Sequence, residues 1–152
     1  MKQIDKKKIK SVVEALDGIL SDSFVLYYKT HASHWNVEGP QFKQLHDLFM
    51  EQYVEIWNAL DGIAERIRAL DSYAPLSMKE LLKAASLAES GQNRDASQMI
   101  RDLAEDNEHL ATSLSRTIGL ADEANDQATA DLLTQRLGVH EKAAWMLRSL
   151  LK

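Results

Sequence analysis

From Ile9 onward, apolar and aromatic side chains return at Val12, Val13, Leu16, Leu20, Phe24, Tyr27, His31 and Trp35, a helical period held for about seven turns. Glu38-Gly39-Pro40 then supplies a breaker together with a helix-starting proline, so the first helix is expected to close near Val37. A second period carries Phe42, Leu45, Phe49, Ile56, Leu60, Ile63, Ile67 and Leu70 on its apolar side. Residues 71–93 break the pattern. Within them Ser77-x-x-Glu80 has the form of a capping box that opens a short helix through Leu82. Asn93 and Asp95 are both able to start a third long helix, with Ile100, Leu103, Leu110, Leu114 and Ile118 as its apolar positions. A fourth runs from about Asp126 through Leu133, Leu137, Ala144, Trp145 and Leu147 to Leu151. No strand period, internal repeat or low-complexity tract interrupts this order. Four long helices with two short connections and one long one predict an all-α bundle with a crossover, not an up-and-down bundle.

Composition narrows the picture. A chain of 152 residues is one domain's worth and can bury a core; residues 9–152 read as that domain and residues 1–8 as a short lysine-rich end. Two prolines and six glycines leave room for long helices. The absence of cysteine excludes disulfides, thiolate metal sites and cysteine nucleophiles. The start lacks the apolar centre of a signal peptide and no run reaches membrane-spanning length, so a cytoplasmic protein with no membrane partner is expected. A net charge of −5 argues against the body of the domain as a nucleic-acid surface. Its one basic concentration is Lys2, Lys6, Lys7, Lys8 and Lys10, set against a single aspartate.

The ionisable residues between His31 and Arg66 depart from an ordinary surface pattern. Asp61 and Glu65 are four apart, so one helix points both carboxylates from the same face. With His34 and His46 they make up the ligand types of a transition-metal site, although each residue taken alone reads as an interhelical hydrogen bond or ion pair. On one helix His46 and Asp61, fifteen residues apart, are separated by about 22 Å. They cannot hold one ion from one chain, so either there are two sites or one site is completed across a subunit contact. A site inside the bundle is disfavoured. It would need a Glu-x-x-His motif on each of two helices, and Asp106-Asn107-Glu108-His109 is only a single approximation. His109 and His140 then read as solvated or interhelical polar residues.

The segment His34-Trp35-Asn36-Val37-x-Gly39, with Phe42, Leu45-His46, Tyr53 and Asp61-x-x-Ala64-Glu65-Arg66, closely resembles the Dps miniferritins (DNA-binding proteins from starved cells). Thr129-Ala130-Asp131-Leu132-Leu133 and His140-Glu141-Lys142-x-Ala144-Trp145 resemble the same family's last helix. The resemblance covers nearly the whole chain. It implies a ferritin-like four-helix bundle with a short extra helix in the long crossover between the second and third long helices. It also implies a homododecameric shell in which His34 and His46 of one subunit face Asp61 and Glu65 of a twofold-related one. There the family binds iron and oxidises it, with hydrogen peroxide or oxygen, and stores the ferric product inside the shell. The expected activity is that of a ferroxidase, with iron as the metal and zinc or another divalent ion as an alternative.

One position departs from the family pattern. The carboxylate usual four residues after the second histidine is Met50 here. A thioether is a soft and weak ligand for iron, and Glu51 lies about 100° around the helix, so the second iron position is expected to be weakened. His31, three residues before His34, is read as an interhelical hydrogen-bonding residue near the site. Trp35 is read as interface packing, and the resemblance suggests a secondary role in taking up stray oxidising equivalents. Trp57 and Trp145 are assigned to the core or an interface. Asp47, Glu51 and Glu55 form an acidic row, either a solvated face or a mineral-nucleating wall, with Asp47 and Glu51 as the nucleation candidates. Asp122, Asp126 and Asp131 are candidates for the family's threefold iron pores. The amino-terminal lysines are candidates for non-specific DNA contact, which would make the protein nucleoid-associated. Two other functions compete with the ferroxidase: a DNA-shielding shell whose metal site is degraded by Met50, and a metal-binding or stress-signalling ferritin-like protein without ferroxidase activity.

Overall fold

The structure is a computed structural model that describes residues 3–92 and 95–152. Asn93 and Lys2 lie outside them. All regular structure among the described residues is helical: α1 (Ile9–Asn36), α2 (Phe42–Ala69), α3 (Met78–Ala84), α4 (Ala96–Glu123) and α5 (Gln127–Ser149). The ends follow local chemistry. Gly39, at φ 112°, makes the α1–α2 turn that a side chain would resist. Helix α2 begins at Phe42, two residues beyond Pro40, and Phe42 itself is exposed. Ser77 and Asp95 cap α3 and α4 by accepting from the amides of Glu80 and Gln98. The Glu80 carboxylate reaches back to the amide of Leu76, one residue short of a reciprocal capping box. Helices α2 and α4 end in paired turns without glycine. Asp71 and Asn125 take positive φ, which Asp and Asn tolerate, and Ser72 and Asp126 donate back to Ile67 and Ala121.

Cross-helix contacts fix the topology. Helix α1 runs against α4: Gly18 and Ile19 lie level with Ser113 and Thr117, and Ser33 and Asn36 level with Gln98 and Leu103. Helix α2 runs against α5, since Arg66 bonds Asp126 and Glu55 bonds Arg136. With tight turns joining α1 to α2 and α4 to α5, the order is up-down-down-up. The α2–α4 connection must therefore climb the bundle. It is strapped to α1 on the way: Asp22 accepts from the amides of Ser86 and Leu87 and from the Ser86 hydroxyl, and Lys29 donates to the carbonyl of Ala88. Packed between α2, α4 and the crossover, α1 is buried well beyond one stripe. Its inward residues include Ser21, Asp22, Lys29, Thr30, Ser33 and His34. Phe49, Leu16, Ile63, Leu103, Leu110, Leu133 and Leu147 fill the centre. Trp57 and Trp145 are exposed on the single chain, which removes the core half of their assignment.

Candidate metal centre

His34, in the last turn of α1, meets His46, in the second turn of α2, because the short turn at Gly39 folds the two helices together. Their rings stack with centroids 3.7 Å apart. Each Nδ1 lies 2.7 Å from the backbone oxygen of the other residue. A carbonyl only accepts, so both Nδ1 atoms carry hydrogen and both Nε2 lone pairs are left for a ligand. Anchoring one ring nitrogen to a carbonyl is how metal-binding histidines are oriented. Beside them Tyr53 stacks flat on His31, with centroids 3.8 Å apart, and meets His34 edge-on. Tyr53 follows His46 by seven residues, two turns along the same face; that spacing was the available signal for it.

His31 bonds within its own helix, to the Tyr27 hydroxyl at 2.9 Å, and not across helices as the sequence reading expected. Four-residue spacing brings the two side chains together, and the interhelical contact is the stack on Tyr53. Burial, and secondarily the neighbouring His34, lowers the His31 pKa; burial raises that of Tyr27, with lesser contributions from Tyr53 and Tyr28. Trp35 lies against His31, 4.0 Å between centroids, with much of its surface open.

Asp61 and Glu65 project from α2, exposed, with no hydrogen bond or ion pair among the described residues. Next to them Arg66 turns inward and donates to Thr129 and Asp126, which locks this end of α2 onto the start of α5. Because α2 is continuous from Phe42 to Ala69, the histidine pair and the carboxylate pair stay about 22 Å apart. Among the described residues no three His, Asp or Glu side chains converge within one chain. Met50 is exposed on α2, and Glu51 is exposed beside it.

The remaining candidates divide. Asp47 pairs with Lys43, and Glu55 is engaged by Arg136, so of the acidic row only Glu51 has no partner among the described residues. Asp122 and Asp131 are exposed at the α4–α5 corner, with Asp131 accepting from Gln135. Asp126 is 0% exposed. It caps α5 through Thr129 and pairs with Arg66, which removes it from the pore candidates. The lysine end is held more closely than expected. The Asp5 amide donates to the Ala124 carbonyl and Lys8 Nζ to that of Glu123; Lys6, Lys7 and Lys10 stay exposed. His109 is exposed against Ser86, and His140 is buried between α4 and α5.

The family model of the ferritin-like domain matches residues 13–152. Over 93% of its length the chain is 39% identical to DNA protection during starvation protein 2 of Bacillus anthracis, covering 97% of that protein. The Dps structure of Thermosynechococcus elongatus superposes with a TM-score of 0.95 at 30% identity, over 97% of this chain and 94% of that one. The Dps of Vibrio cholerae, described as belonging to a broad superfamily of ferritin-like diiron-carboxylate proteins, superposes with a TM-score of 0.93 at 30% identity, over 98% and 94%.

Proposed function

The chain belongs to the Dps miniferritins of the ferritin-like family, and from that premise we propose that it binds ferrous iron between subunits, oxidises it, stores the ferric product in a hollow homododecameric shell and protects DNA. One observation carries the reading. The histidine pair presents two oriented Nε2 lone pairs, while Asp61 and Glu65, without a partner among the described residues, stand on the helix of His46 too far away to share an ion with it. Each half lacks what the other has, and a twofold contact would supply both at once. His34 and His46 would orient the ion, and the two carboxylates, hard and anionic, would favour the ferric over the ferrous state. Two ferrous ions each give up one electron to peroxide, which takes up two protons and leaves as two waters; no hydroxyl radical is released. Met50 puts a neutral thioether where the second ion would want an anion, so that position is filled weakly.

That substitution also supports a second reading, a DNA-shielding shell with little oxidation. Ferrous oxidation by the assembled protein, followed with peroxide and with oxygen separately, decides between them. Saturable oxidation ending in a soluble ferric core, accelerated several-fold in Met50→Asp, is the expected result. A rate no higher than the protein-free control in both proteins would leave the shielding shell as the function.

A further inference from the structure

Inside the bundle, away from the histidine pair, three helices bring a second set of metal-type donors together, and a side-chain cation already sits among them. The Arg136 guanidinium of α5 donates to both oxygens of Glu55 on α2, at 2.6 and 2.7 Å. Its Nη2 lies 3.3 Å from His140 Nε2. His140 Nδ1 is 2.9 Å from the Asn107 Oδ1 on α4. The Asn107 amide nitrogen is spent on the Leu103 carbonyl, so its oxygen faces the ring and Nδ1 is the donor. The Nε2 lone pair is therefore directed at Arg136. A carboxylate gripping with both oxygens, and an imidazole whose far nitrogen is anchored by an amide oxygen, are what proteins build around a metal ion. Here a guanidinium takes the ion's place. Asp106, the neighbour of Asn107, is matched in the same way by the buried Lys29 of α1.

A tie between helices does not need this arrangement. Arg148 and Glu108 join α5 to α4 with a two-bonded pair of their own at the surface, through Nε and Nη2, 37% and 49% exposed. In the inner pair the cation is the buried member, 8% exposed against 41% for Glu55, and its Nε has no acceptor among the described residues. Burying a guanidinium costs desolvation, which a surface tie would avoid. A cavity of about 210 Å³ lined by Gln52, Glu55, Asn107 and His140 adjoins the group, wide enough for waters to complete a coordination shell. We propose that Arg136 is a resident cation that denies this interior position to divalent metal, so that metal is held only by the His34/His46 and Asp61/Glu65 sets. Only the second clause rests on the contact-site reading.

Equilibrium dialysis of the assembled protein against Co²⁺, with metal analysis and visible absorption, tests this. Arg136→Gln is expected to take up about one Co²⁺ per chain beyond the parent, with a new visible band. Arg136→Lys, which keeps the charge, and the double variant Arg136→Gln/Glu55→Gln should take up none beyond it. A folded Arg136→Gln with the parent's cobalt content and spectrum overturns the proposal. If that variant melts early without metal, its thermal midpoint is read with added Co²⁺: a rise larger than the parent's supports the proposal, and no such rise overturns it. The cobalt bound by the parent reports separately on the contact site, so failure of one reading is distinguishable from failure of the other.

Discussion

The imidazole of His140 shows what single residues do here. Burial between α4 and α5, with the Arg136 charge adding to it, lowers its pKa from 6.5 to about 3. The unfolded chain therefore takes up a proton near pH 6.5 that the folded chain refuses. The stabilisation is complete above that pH and is lost as the pH falls from there towards about 3, at up to roughly 1.4 kcal/mol per pH unit. Urea denaturation at several pH values between about 7.5 and 5 should show this slope, and His140→Gln should flatten it; His31, whose pKa is also lowered, contributes a remainder of the same sign. Equal slopes in parent and variant would mean that His140 does not carry the effect. Helical spacing put Asp61 and Glu65 on one face, and the resemblance to the family, not spacing alone, set His34 and His46 beside them as candidates. The sequence said nothing of Arg136, whose partner Glu55 is eighty-one residues away, and its reading misplaced the bond of His31. Side-chain direction at an interhelical contact is set by the neighbour.

At the level of elements, periodicity located the four long helices and the Ser77 capping box located the short one, which runs two residues further than expected. Apolar period and cap chemistry are local properties, so they survive without tertiary knowledge. What failed was the reading of polar residues at element ends. Asp126 looks like any acidic residue at a helix start, yet it is fully buried as the joint of α2, α4 and α5, capping Thr129 and holding Arg66. Asp126→Ala loses the cap and strands Arg66, and is expected to destabilise the protein by about 3 kcal/mol. Asp126→Asn keeps a capping oxygen and should cost about 1 kcal/mol less. Thermal and urea unfolding of both variants measures the difference, and Asn as harmful as Ala would assign the whole effect to the ion pair. Asp22 has the same character: its partners Ser86 and Leu87 lie more than sixty residues on.

For the whole molecule, an acidic body carries a basic end. Lys6, Lys7 and Lys10 remain exposed, Lys10 beside Glu14, while Lys8 donates to the α4–α5 corner. If DNA binds here, the contact is with phosphate, multiplied by the number of subunits, and weakens steeply with salt. Mobility shifts at low salt should disappear on adding salt and on deleting the residues before Ile9. A complex that persists at high salt would mean base contacts and would overturn the phosphate reading. The sequence by itself determined the helical class, the crossover bundle and the residue types of the candidate metal centre, because hydrophobic period and helical spacing are one-dimensional records of which face is covered. Only the tertiary structure decided that both histidines are held with Nε2 free, that Asp126 is a joint and not a pore residue, and that the bundle interior already holds its own cation. Each of those depends on groups brought together from distant positions by packing, and hydrogen-bond direction exists only once both partners are in place.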